Sequence, residues 1–190
     1  MSVKKLFATI AGLLFSFRTF WEHYFEDTSD LSGENVLNDY SLPVIAMAQL
    51  LKFPAVGQPR RAMMIAIVSF LINIVILFLI AGGLTCFVDT ERCGCPEERV
   101  AALAGFALTP VWFMGPLYCI DGWSWLAAIV SIAYASLIFR SGVVLLVDRY
   151  LEPLRAGRVL RNVTLFFVAI CVVQFLVERG VFHVFDSFVL

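Results

Sequence analysis

Residues Ala62 to Val88 read AMMIAIVSFLINIVILFLIAGGLTCFV, 27 residues without a charge. About 20 apolar residues in helical rise cross a hydrocarbon layer roughly 30 Å thick, so this run spans a bilayer with some tilt. A helix in the core of a soluble protein has no need of so long an unrelieved apolar stretch. Inside lipid every backbone N–H and C=O must find its partner within the protein, which a helix provides from its own residues. The run therefore predicts an integral membrane protein of helical class, and the remaining residues are read with lipid as part of their solvent.

Composition agrees with that reading. Of 190 residues, 61% are hydrophobic and only 15% charged, against about 25% charged in ordinary globular domains. Mean hydropathy is +0.88. The length leaves room for one bundle and no sizeable soluble domain. A net charge of -1 and the lack of a basic stripe give no expectation of a nucleic-acid partner. Lys4 and Lys5 precede an apolar stretch, as in a secretory leader. Arg18 interrupts that stretch, and no small-residue cleavage site comes before FWEHYFED, which argues against a cleaved signal.

Working outward from the 62–88 run, four more apolar stretches are legible. Residues 40–57 form the weakest, because Gln49, Lys52 and Pro54 interrupt them; Lys52 is expected to snorkel outward near a helix end. Residues 100–120 contain Gly105, Pro110, Gly115 and Pro116, which predict a kink or break. Residues 123–147 carry Arg140, and residues 162–180 lead into an aromatic tail. Ahead of these, Leu6, Ile10, Leu13, Leu14, Phe17 and Trp21 recur at helical steps among Lys4, Lys5, Arg18 and Glu22. That pattern suits an amphipathic helix lying in the membrane interface, or one docked on the protein's own bundle. The stretch EDTSDLSGENVLND, 26–39, is polar and acidic and reads as a linker. The expected architecture is all-α. Residues 1–39 give a cytoplasmic amphipathic helix and linker, and residues 40–190 a polytopic membrane domain of five transmembrane helices.

Lysine and arginine positions orient such a bundle. With five spans and an inward N-terminus, Lys4, Lys5, Arg18, Arg92, Arg99, Arg149, Arg155, Arg158 and Arg161 lie inside, and Lys52, Arg60, Arg61 and Arg179 outside, nine against four. With 40–57 as a re-entrant hairpin the split falls to seven against six, which is no bias. Five spans with the C-terminus outside are preferred, although Arg60 and Arg61 then lie on the wrong side.

The order of features resembles the Ypt-interacting-protein (Yip) domain family of five-span membrane proteins, bacterial type. The resemblance rests on Phe20-Trp21-Glu22 in the N-terminal helix and on Asp39-Tyr40-Ser41-Leu42-Pro43 where the first span begins. It rests also on Ala104-Gly105-Phe106-Ala107-Leu108-Thr109-Pro110 in the third span and on Arg140-Ser141-Gly142 as a glycine-bearing turn ending the fourth. The N-terminal part lacks the long tail of eukaryotic trafficking members, so their Rab-GTPase link carries over poorly. What the resemblance implies is a five-helix fold and a non-enzymatic role.

Arg140 is the sharpest single residue, because a charge within a span costs about 2.5 kcal/mol or more on insertion scales. It is expected to face the bundle, with Asn73, Gln174, Glu178 and Asp148 as candidate partners; snorkelling to the inner interface is the alternative. Arg140, Asn73 and Gln174 together form the candidate intramembrane polar site. Asn73, Gln49 and Gln174 can also hydrogen-bond between helices, and Gly82, Gly83 and Gly105 permit close helix approach. Cys86, Cys93 and Cys95 cluster near one loop as free thiols, a disulfide or a poor metal site, with His23 and His183 far away in sequence. Cys119 and Cys171 read as packing residues. The run RAGRVLR sets Arg155, Arg158 and Arg161 at helical spacing, where they orient the bundle and can touch anionic headgroups. No catalytic motif is present, and no cofactor or metal is expected. The expected function is a membrane-organising or interaction protein of the bacterial inner membrane. Its partners are the lipid bilayer and other membrane proteins or a second copy of itself. The competing function is a small transporter or channel subunit built around Arg140, Asn73 and Gln174.

Overall fold

The computed structural model describes residues 3–26, 36–88, 97–120, 122–150 and 153–187. Every regular element among them is helical. Helices α1 (Val3–Phe15) and α2 (Phe17–Glu26) are followed by a π-helical turn, Leu37–Ser41, which runs into α3 (Leu42–Leu50). Then come α4 (Lys52–Val56), α5 (Pro59–Val88), α6 (Glu97–Ala107), α7 (Thr109–Met114) and a 3-10 turn, Gly115–Cys119. Helices α8 (Ser124–Tyr150) and α9 (Pro153–Ser187) complete the chain.

Four segments are long and apolar enough to cross a membrane: Pro59–Val88, Glu97–Cys119, Ser124–Arg149 and Gly157–Phe185. They overlap the expected stretches 62–88, 100–120, 123–147 and 162–180. The expected first span, 40–57, differs. It is a broken helix, none of whose pieces reaches spanning length. Pro54 supplies the reason. Its ring clashes with the carbonyl of the residue four positions back and it has no N–H to offer there, so α3 stops at Leu50. Gly57 then ends α4 at φ +74°, a left-handed cap that glycine adopts without strain, its N–H donating to the Phe53 carbonyl at 3.3 Å.

Apolar side chains cover both faces of the long helices. In α5, Ile65, Ile76, Leu77, Ile80 and Leu84 face inward, whereas Met63, Ile67, Leu71, Val75, Phe78 and Leu79 are exposed. Ile129, Val130 and Leu137 of α8 and Leu165, Val173 and Leu176 of α9 are exposed likewise. A face so apolar is at home against lipid tails and not against water. The segment Glu97–Cys119 lies at the centre, 72% buried in its apolar window against 28–39% for the other three. Pro110 breaks it at Leu108, because its ring crowds the carbonyl of Phe106 four residues before it, and Pro116 lies in the first turn of the 3-10 segment that follows.

The N-terminal helices dock on this bundle. Leu6, Ile10, Leu13, Trp21, Tyr24 and Phe25 are buried, and Lys4 and Lys5 point out. The Tyr134 hydroxyl donates to the Leu14 carbonyl, and Arg149 Nη1 donates to the Phe25 carbonyl at 2.7 Å, satisfying an orphan acceptor at the end of α2. Phe20, Trp21, Tyr24 and Tyr40 gather round Phe106 with ring centroids 4.7–5.8 Å away. Burial in this aromatic cluster pushes the Tyr24 phenol up to about 12, with Arg99 opposing, so it stays protonated at neutral pH.

Gly142 stands inside α8, not in a turn at its end as the sequence suggested. A Cβ there would meet Trp21 Cε2 at 2.8 Å and Leu103 Cδ1 at 3.0 Å. Alanine gains about 1 kcal/mol over glycine in a helix interior, but overpacking a filled core costs about 1–3 kcal/mol. The Trp21 ring is held on all sides, so the clash prevails: Gly142→Ala lowers the melting temperature in detergent. Gly82→Ala, with nothing within 4 Å of its Cβ position, raises it. Equal shifts in the two variants would contradict the seating of Trp21.

Candidate functional site

A hydrogen-bonded charge pair is sealed inside the bundle. Lys52 opens α4 immediately after the break at Leu51, and the break turns its side chain inward. Its ammonium passes beside Gly115, where a Cβ would stand 3.4 Å from Lys52 Cε. Lys52 Nζ donates to Glu178 Oε2 of α9 at 3.0 Å and lies 5.6 Å from the centroid of the Phe182 ring. Lys52 is 0% exposed and Glu178 2%. The expectation that Lys52 snorkels outward is overturned: its stem runs into the protein because a carboxylate waits there.

Two amides complete the arrangement. Asn73 Nδ2 donates to Glu178 Oε1 at 2.8 Å and to the Ser69 carbonyl at 2.7 Å. Gln174 Nε2 donates to Asn73 Oδ1 at 2.7 Å. Gln174 and Glu178 share a face of α9 because they are four residues apart, with Phe182 four further on. Asn73 lies about 16 Å along α5 from Ala62 by helical rise, well within the uncharged run. The chain is thus Lys52–Glu178–Asn73–Gln174, drawn from α4, α5 and α9 and closed over by the 3-10 turn at Gly115.

Burying two charges costs several kcal/mol per ion, and their attraction offsets this only when geometry is good and the remaining lone pairs are bonded. The carboxylate meets the second condition, since each oxygen of Glu178 accepts a bond, one from a cation and one from an amide. Gln174 Oε1, Gln49 Oε1 and Ser69 Oγ are buried without a hydrogen-bond partner among the described residues. The site therefore carries an ion pair of no net charge, with the spare acceptor Gln174 Oε1 at the end of its hydrogen-bonded chain.

The structure brings together Asn73 and Gln174 of the expected polar site and separates Arg140 from them. Arg140 is exposed on α8 and lines a surface cleft with Gly157, Leu160, Arg161, Thr164 and Leu165. It makes no hydrogen bond or ion pair among the described residues, and its candidate partner Glu178 belongs to Lys52 instead. Asp148 is exposed on the same helix. Arg140 lies on the flank of α8 next to the arginine-bearing start of α9, where its charge needs no buried partner. The residue that sequence reasoning missed is Lys52. The signal for it was the pairing of one cation with one anion across two apolar stretches, with Gln174, Glu178 and Phe182 spaced along one helix face.

Cys86, Cys119 and Cys171 are free thiols, exposed, half-buried and buried. Cys93 and Cys95, and any bridge involving them, lie outside the described residues, as does most of the polar linker. Among the described residues no group of three or more His, Cys, Asp or Glu side chains stands together as a metal site would require. Comparisons of the chain with protein-family models, with curated proteins and with solved structures find no match.

Proposed function

We propose that the chain is a membrane-organising or interaction protein of the bacterial inner membrane, of Yip type, with no catalytic step. The observation that carries this reading is the closure of the polar site. Among the described residues the buried charges are Lys52 and Glu178, and they neutralise each other beneath Gly115. A pair so held locks a broken helix to the bundle and offers substrate no surface. The docked α1 and α2 with exposed Phe7 and Phe15 support an amphipathic N-terminal element that meets lipid or a neighbouring protein. In this reading 40–57 is a fifth crossing, broken at Leu51. The nine-to-four lysine and arginine split then sets the N-terminus inside and the C-terminus outside.

A small ion-coupled transporter is the second reading, favoured by the unpartnered Gln174 Oε1 at the end of the Glu178–Asn73–Gln174 chain. Its polar site is Lys52, Asn73, Gln174 and Glu178 rather than one containing Arg140. One reconstitution separates the two. In proteoliposomes under imposed proton and sodium gradients, an internal pH dye reports no flux above that of empty vesicles. Flux that disappears in Glu178→Gln would replace the interaction reading with the transporter.

A further inference from the structure

We infer that the cleft between α8 and α9 is a binding site for a phosphate-type anion, seating the phosphodiester of an anionic phospholipid between Arg140 and Arg161. This goes beyond the proposed function and does not depend on it.

The cleft has a volume of about 240 Å³ and is lined by Arg140 from α8 and by Gly157, Leu160, Arg161, Thr164 and Leu165 from α9. Both arginines are exposed, and neither guanidinium has a hydrogen-bond or ion-pair partner among the described residues. A planar guanidinium presents paired N–H donors that match phosphate oxygens, and two from different helices can hold one anion from two sides. Gly157 lines the cleft, and a Cβ there would meet no neighbour within 4 Å. Among the described residues no acidic side chain lines the cleft. The Thr164 hydroxyl donates to the Leu160 carbonyl at 2.7 Å, so the donors left free in the cleft are the arginines.

The position of the cleft selects a lipid. Phe87, at the end of the uncharged run of α5, lines the adjoining cleft together with Arg158, Val159 and Asn162. The apolar layer therefore ends at the level of Arg158 to Asn162, and Arg161 lies where headgroups begin. Arg140 reaches the same level from the neighbouring helix. Below them Leu165 is exposed, and an acyl chain can run down from the cleft over it. Basic pockets between membrane helices bind anionic headgroups in this way.

Ligand that binds the folded state raises its melting temperature. The purified full chain in neutral detergent is therefore heated with dioleoyl phosphatidylglycerol, with dioleoyl phosphatidylcholine and with inorganic phosphate. Phosphatidylglycerol is expected to raise the melting temperature and phosphatidylcholine to leave it unchanged. The shift falls by more than half in Arg140→Gln and in Arg161→Gln, vanishes in the double variant, and returns in part with Arg161→Lys. Arg18→Gln, whose parent side chain pairs with Glu22 at 3.6 Å on the exposed face of α2, keeps the full shift. A shift from phosphatidylglycerol and none from phosphate assigns the anion to lipid. A shift from phosphate alone keeps the anion site and overturns its lipid occupant. An equal shift from phosphatidylcholine, an undiminished shift in the double variant, or its loss in Arg18→Gln overturns the site.

Discussion

Glu178→Gln lowers the unfolding free energy by about 3–5 kcal/mol, the loss that follows removal of one member of a buried ion pair. Lys52 is 0% exposed and has Glu178 Oε2 at 3.0 Å. With a neutral amide opposite, its ammonium is left uncompensated in an apolar setting, which disfavours the fold. Lys52→Met strands the carboxylate in the same way, although Asn73 still donates to its other oxygen. Total stabilities of folded domains are about 5–15 kcal/mol, so either single variant removes a large share. The double variant Lys52→Met/Glu178→Met buries no charge and should stand within about 1 kcal/mol of the parent, since apolar replacements of buried pairs are often neutral or better. Denaturant-dependent unfolding in mixed micelles, arranged as a double-mutant cycle, gives the coupling. Additive losses, or single variants as stable as the parent, would refute the pair as the lock on α4.

What the sequence made legible was what depends on local rules. An uncharged 27-residue run has one physical solution in lipid, and α5 adopts it. Pro110 breaks the central segment because a missing N–H acts within one turn. The destination of Lys52 was another matter. A lysine near a helix end snorkels when lipid surrounds it and turns inward when a carboxylate lies across the bundle. Which applies depends on Glu178, 126 residues away in sequence. The same holds for Arg140, whose surroundings are set by how α8 and α9 cross. Residues 40–57 show the limit of composition: a stretch apolar enough to suggest a span is divided by Pro54 and Gly57, and mean hydropathy does not register a backbone break. Gly142 shows it again. Beside Arg140 and Ser141 it read as a turn signal, whereas its helix continues and the glycine makes room for a tryptophan from the opposite end of the chain.

Trp21→Ala is expected to cost about 3–5 kcal/mol, as for large aromatic truncations in filled cores. The ring is 0% exposed and touches Phe20, Tyr24, Phe25 and Phe106. Its Nε1 donates to the Ile138 carbonyl at 3.1 Å, but that carbonyl also accepts from Ser141 Oγ at 2.7 Å. Removing the indole therefore strands no buried acceptor, and the loss comes from the cavity. Trp21→Phe keeps most of the apolar volume and loses one hydrogen bond, a smaller effect of about 1 kcal/mol. Because Trp21 fastens α2 to α8, its truncation should also free the N-terminal helices: trypsin cleaves at Arg18 faster in Trp21→Ala than in the parent, while cleavage within α5 to α9 is unchanged. A cycle with Gly142→Ala sharpens the test. The new methyl group is placed against Trp21 Cε2 and Cζ2, atoms of the wider indole that a phenyl ring leaves vacant, so Gly142→Ala should destabilise Trp21→Phe less than it destabilises the parent. Strictly additive losses across that cycle would mean that the indole does not occupy the notch at Gly142, and the docking of the N-terminal helices would need a different anchor.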